Sequence, residues 1–164
     1  MGKSRRSTEA KDATERDNRI GPRAGPERCV ALDAWLDRRG GGKLGADDPQ
    51  IVARGATLYA EHCASCHGAN LEGQPDWRVR RDDGRVPAPP HDRTGHTWHH
   101  DSDTLFRVTK FGVAALIGAP DYETDMPIYD GVPSDAEIRA IFGYIKSTWP
   151  VNIRARHDAL DASR

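Results

Sequence analysis

Apolar side chains are scarce in this 164-residue sequence: 37% of residues are hydrophobic and 7% aromatic, against 30% charged. No stretch reads as a signal peptide or a single membrane-anchoring helix. Cysteine is nearly absent too, with only Cys29, Cys63 and Cys66, and Cys29 stands far upstream without a partner. A zinc site of the usual kind would need a second pair of ligands that this set does not supply. Methionine occurs twice, as Met1 and Met126. Neither charge sign dominates. A net charge of −1 gives no general affinity for nucleic acid or an anionic membrane. No nucleophile–base pair and no pair of carboxylates placed for acid–base work stands out, so the chain is not read as an enzyme. A domain of about a hundred residues with so little apolar material is marginal on its own.

What is present is one compact motif, Cys63-Ala64-Ser65-Cys66-His67. The spacing C-x-x-C-H is that of c-type haem attachment. Two thiols separated by two residues can add to the two vinyl groups at a porphyrin edge, and the histidine that follows is brought under the iron as a nitrogen ligand. A large buried porphyrin would also supply the apolar core that the composition lacks. A thioredoxin-like C-x-x-C is the competing reading, but no β-branched run precedes the motif to form the buried strand such a site needs. Met126 is the candidate for the second axial position. Its thioether is a soft, neutral donor that favours ferrous iron. It lies in Tyr122-Glu123-Thr124-Asp125-Met126-Pro127, outside any periodic apolar run where methionine serves as core filler.

The sequence resembles the class I, monohaem cytochromes c of the bacterial periplasmic type. The resemblance rests on Gly55, Tyr59, Cys63 to His67 with Gly68, Pro87-Ala88-Pro89-Pro90-His91, Gly95-His96-Thr97-Trp98-His99-His100, Met126-Pro127 and Tyr144-Ile145-Lys146-Ser147-Thr148-Trp149-Pro150, and it covers roughly residues 49–150. It implies an all-α cytochrome c fold, with three main helices and long loops around one haem c held through Cys63 and Cys66, and with iron ligation by His67 and Met126. It implies electron transfer with redox protein partners such as a respiratory donor or acceptor. Because haem c is attached outside the bacterial cytoplasm, it also implies a place in the periplasm or on the outer face of the inner membrane. In the family a carbonyl from a proline-bearing loop accepts the Nδ1–H of the proximal histidine. Residues 87–90 match that loop, without indicating which carbonyl serves.

The chain then divides into three parts. Residues 1–48 form a leader with 11 basic and 9 acidic groups, and residues 49–150 form the cytochrome domain, with 10 basic and 14 acidic. Residues 151–164 are a polar tail with helical potential. Between residues 2 and 28 the only large aliphatic residue is Ile20, too little to offset the entropy of ordering. The twin arginine Arg5-Arg6 has no hydrophobic region behind it. The leader is therefore expected to be disordered, or to reflect a start that differs from the true one. Leu32, Trp35 and Leu36 fall at helical spacing, and residues 38–43 read as a flexible Gly-rich linker.

Asp48-Pro49 should open the first helix as N-cap and first helical residue. Ile51, Gly55, Leu58, Tyr59 and His62 lie along one face. Gly55 in a helix interior costs about 1 kcal/mol against alanine, which argues for a close helix crossing there. Asp83-Gly84 should turn a small exposed hairpin, and one arginine of residues 78–81 is a candidate partner for a haem propionate. Trp98 is expected near a propionate as well. His91, His96, His99 and His100 could form a second metal site or supply a bis-histidine ligand. The resemblance instead favours polar packing at the haem edge for these four. Asp101 or Ser102 caps a middle helix that Gly112 ends. Ser134-Asp135-Ala136-Glu137 is a capping box. It starts a last helix whose stripe of Ile138, Ile141, Phe142, Ile145 and Trp149 should cross the first helix near Gly55. Two other function classes remain: a haem sensor or peroxidase-like domain with an open distal site, and a cytochrome subunit relaying electrons inside an oxidase or dehydrogenase complex.

Overall fold

The computed structural model describes residues 44–163. The expectations for the leader, the Leu32–Leu36 turn and the Gly-rich linker fall on residues outside this range, apart from the few that lead into the first helix. Among the described residues there are six α-helices and one short 3₁₀ turn, and no strand. The helices are α1 (Pro49–His62), α2 (Ala64–His67), α3 (Ser102–Phe111), α4 (Val113–Ile117), α5 (Asp135–Ser147) and α6 (Val151–Ala162), with the 3₁₀ turn at Thr97–His99. The chain is all-α, as expected. No helix is long and apolar enough to cross a membrane.

Local chemistry sets the helix ends. Asp48 caps α1 by accepting from Gln50 N at 2.9 Å and Ile51 N at 3.4 Å. Asp101, rather than Ser102, caps α3, accepting from Thr104 N at 3.1 Å. The Ser134/Glu137 capping box is present at the start of α5. Gly112 ends α3 at φ +84°, a backbone geometry that glycine adopts without a Cβ penalty, and α4 follows at once.

The core is the pairing of α1 with α5. Ile51, Leu58 and Tyr59 from α1 meet Ile138, Ile141, Phe142 and Ile145 from α5, and all are buried. The helices approach so closely at Gly55 that a Cβ there would lie 2.0 Å from the Ala140 carbonyl oxygen. Gly143 provides a second close approach, facing the Leu44 carbonyl oxygen at 2.2 Å from an ideal Cβ. Trp149 lies just beyond α5 and remains buried, donating its indole N–H to the His91 carbonyl at 2.8 Å. Leu105 and Phe106 of α3 complete the cluster.

The expected hairpin is a turn instead. Arg81 N donates to Arg85 O at 2.9 Å and Gly84 N to Arg81 O at 2.9 Å, without strand pairing. Too few apolar residues flank Asp83-Gly84 for two strands to bury a face.

Residues 151–162 form a full helix held against the domain by polar contacts. Buried Lys146 donates to Asp158 Oδ1 at 2.6 Å and to His157 Nδ1 at 3.0 Å. Asp161 accepts from Ser102 N at 2.7 Å and from Ser102 Oγ at 2.8 Å. Arg156 lies over Trp98, 5.1 Å from the ring centroid.

Candidate functional site

The motif sits where α1 ends. Cys63 is the C-cap of α1, its N–H bonded to the Tyr59 carbonyl, and it also begins α2, which carries Cys66 and His67. One helical turn therefore places both cysteines and the histidine together. The turn closes through Cys66 N to Cys63 O at 3.1 Å and His67 N to Cys63 O at 2.9 Å. Tyr59 reaches across from α1 to donate its hydroxyl to the Gly68 carbonyl at 2.7 Å. Burial and the nearby Cys66 push the Cys63 thiol up to about 12. The thioredoxin-like reading fails on the fold, since no strand lies among the described residues to precede the motif.

His67 is buried, and its Nδ1 lies 2.8 Å from the Pro89 carbonyl oxygen. Only an Nδ1–H can make that bond, which leaves a lone pair on Nε2, and Nε2 makes no hydrogen bond among the described residues. Burial lowers the His67 pKa, and the Pro89 carbonyl opposes that shift. The result is a neutral imidazole with a fixed tautomer and a free donor nitrogen, the state a metal ligand requires. The carbonyl that the sequence left unassigned is that of Pro89.

His91 lies against the ring of His67. The two rings stack with centroids 4.0 Å apart and planes 26° from parallel. His91 is fixed by Thr97 Oγ1 at 2.8 Å and by the edge of Tyr59 at 6.3 Å. Nothing in the spacing of four nearby histidines singles out this one. His96 stacks on Trp77 at 5.3 Å and His99 on Trp98 at 3.7 Å, so each packs against an aromatic ring. Among the described residues, the three-residue ligand group that gathers within reach of one ion is His157, Asp158 and Asp161, where the Lys146 ammonium already sits.

Met126 lies half-buried in the loop between α4 and α5. Its N–H bonds Thr124 Oγ1 at 3.1 Å. The loop is tied to the haem motif three residues later, where Tyr129 donates its hydroxyl to the His62 carbonyl at 2.6 Å. Burial, Cys63 and Cys66 together push the Tyr129 hydroxyl above its usual range.

Two observations test whether these residues fit a haem. The indole N–H of Trp98 is buried without a hydrogen-bond partner in the protein, as are Nε of Arg85, which lies 3.9 Å from Glu123 Oε2, Nε of Arg54 and Nε2 of His157. Unpartnered buried donors are rare unless another group meets them, and a carboxylate-bearing cofactor would do so. In addition, α4 is composed of Val, Ala, Leu and Ile yet buries none of them among its protein neighbours. By contrast, a separate cleft of about 600 Å³, lined by Leu44, Gln50, Lys146 and Arg154, includes none of the motif residues.

The family model for cytochrome c matches residues 52–149. This chain belongs to the cytochrome c family. Members bind c-type haem covalently, and Cys63 and Cys66 have the spacing that attachment uses. Cytochrome c domains carry electrons, generally as carriers and not as enzymes, and they work with redox partners. Searches of curated proteins and of solved structures gave no significant match. The family match ends before α6 begins.

Proposed function

We propose that this cytochrome c is a one-electron carrier with haem c attached through Cys63 and Cys66 and with His67 and Met126 as axial ligands. When bound, haem c supplies a ferric–ferrous couple. The observation that carries the reading is the His67 Nδ1 to Pro89 carbonyl contact of 2.8 Å, because it fixes a neutral ring with Nε2 free for the iron. Met126 supplies a neutral sulfur donor that favours the ferrous state and raises the potential. Trp98 offers its unpartnered indole N–H to a propionate. With the iron held by both His67 and Met126, haem would have no position left for a substrate, which supports a carrier. Its donors and acceptors are respiratory redox proteins, and it works in the periplasm or at the outer face of the inner membrane, where haem c attachment occurs.

The test is an optical spectrum of the haem-loaded protein, ferric and then reduced, with carbon monoxide added. A low-spin ferric spectrum with a weak sulfur–iron charge-transfer band, and no response to carbon monoxide, supports the carrier. The Met126→Ala variant should lose that band and show a lower potential. A high-spin ferric spectrum with rapid carbon monoxide binding would replace this reading with an open-site sensor or peroxidase.

A further inference from the structure

The loop that carries Met126 runs from Gly118 to Ser134 without a helix. Its contacts nearest the methionine lie at two points, one on either side, and beyond them Glu123 and Asp130 make looser ion pairs with Arg85 and Lys110, each at 3.9 Å. Immediately before it, the Asp125 carboxylate is bracketed by two arginines of the 76–86 turn: Arg81 Nη2 meets Oδ2, and Arg85 Nη1 meets Oδ1 at 2.8 Å. The guanidinium of Arg80 adds a contact over Tyr122, at 5.7 Å. Three residues after the methionine, Tyr129 N donates to Thr109 O of α3 at 3.2 Å, and the Tyr129 hydroxyl donates to His62 O of α1 at 2.6 Å. Met126 itself contributes only the local bond to Thr124. The two anchors differ in kind. The bracket joins unit charges on side chains about four-tenths exposed, 41% for Asp125 and 43% and 39% for Arg81 and Arg85. The tyrosine anchor is made of neutral groups and is half-buried.

Building on the proposed ligation by Met126, we infer that Asp125, through Arg81 and Arg85, and Tyr129, through His62, are the positioning residues that keep Met126 on the iron. Asp125 acts as a salt-sensitive anchor and Tyr129 as a salt-insensitive one. The physical ground is screening. Exposed charge pairs weaken as the Debye length falls from about 30 Å at 0.01 M to about 3 Å at 1 M salt, whereas a neutral hydrogen bond has no net charge to screen. The bracket crosses from the turn that follows the haem motif to the methionine loop, so releasing it leaves the Cys63 and Cys66 attachments and the His67–Pro89 bond in place. Asp125 therefore governs how often the sulfur leaves and not whether the cofactor stays.

The experiment follows displacement of Met126 from the ferric holoprotein by added imidazole at about pH 8, where imidazole is mostly uncharged. The readout is loss of the sulfur–iron band at low and at high salt. In the parent protein, displacement should accelerate with salt. Asp125→Ala should displace roughly fivefold faster at low salt, in line with two exposed charge pairs, and should lose most of its salt dependence, the looser Arg85–Glu123 and Lys110–Asp130 pairs remaining. Asp125→Glu should restore most of both. Arg81→Gln should give part of the Asp125→Ala acceleration, and adding it to Asp125→Ala should change nothing further, as expected for one shared interaction. Tyr129→Phe should speed displacement while keeping the salt dependence. If Asp125→Ala keeps the parent rate and the parent salt response, the bracket does not position the methionine, even where Met126→Ala has removed the band. If Met126→Ala leaves the band unchanged, the ligation reading itself has failed and this inference falls with it.

Discussion

Replacing Gly55 by alanine tests whether the fold hangs on one helix crossing. An ideal Cβ at position 55 would stand 2.0 Å from the Ala140 oxygen, 2.7 Å from the Ala140 carbonyl carbon and 2.9 Å from Tyr144 Cβ. Ordinary carbon contacts lie at about 3.5–4.0 Å, so α1 and α5 would have to separate by about 1.5 Å along their main interface. Two of the three obstructing atoms are helical backbone, so no rotamer change relieves them. Overpacking of this kind costs about 1–3 kcal/mol when side chains can yield, and it should reach the top of that range or beyond where they cannot. Alanine returns about 1 kcal/mol through helix propensity. The net loss is about 2 kcal/mol, or a fall in Tm of roughly 10 °C for a core of this size. The assay is thermal unfolding of the holoprotein by helical circular dichroism. Thr57→Ala, on the exposed side of the same helix, serves as control and should change stability by less than about 0.5 kcal/mol. Gly143→Ala should destabilise as well, because an ideal Cβ there would stand 2.2 Å from the carbonyl oxygen of buried Leu44, again a backbone atom. A Gly55→Ala protein that melts at or above the parent temperature would refute the close crossing and the argument built on it.

Two further predictions concern the motif and the last helix. Cys63→Ala combined with Cys66→Ala should abolish covalent haem, read as complete loss of pigment from the protein after acid–acetone extraction; pigment that stays attached would contradict the assignment. The second concerns pH. Burial and then Lys146 lower the pKa of His157, with Asp161, Asp158 and the His100 carbonyl opposing. Because the folded value lies below the ordinary 6.5, the unfolded chain takes up a proton first. Stability from this site is therefore complete above pH 6.5 and is lost as pH falls through the lowered folded value. A His157→Gln variant should be less stable at neutral pH and should lose less Tm than the parent on acidification. Equal slopes for the two proteins would exclude His157 as the titrating group.

Most of the scaffold was legible in the sequence because it depends on local rules. The Asp48-Pro49 start, the Ser134/Glu137 box, the Gly112 stop and the apolar stripe of α5 each follow from a few adjacent residues and the helical period, and the structure contains all of them. Gly55 was legible because a glycine inside an otherwise favourable helix needs a reason, and the reason is Ala140. The hairpin at Asp83-Gly84 was misread because the turn residues are right while the flanks lack a face to bury. Gly143 was missed because it sits among apolar residues that already explain the helix.

The chemistry of the haem motif is written in five consecutive residues, since one helical turn is enough to bring two thiols and an imidazole together. Its surroundings are not. Which proline carbonyl orients His67, which of four histidines stacks on it, and which acid anchors the methionine loop are settled between residues 22, 24 and 40–44 positions apart. The same holds for α6, whose sequence shows only polarity and helical potential. Its docking depends on Lys146 meeting His157 and Asp158, and on Asp161 reaching Ser102, 59 positions away. Periodicity and capping act over one or two turns, so sequence can specify helices and a contiguous ligand set. Partners chosen across the fold are decided by how those helices and loops pack, and only the tertiary structure contains that choice.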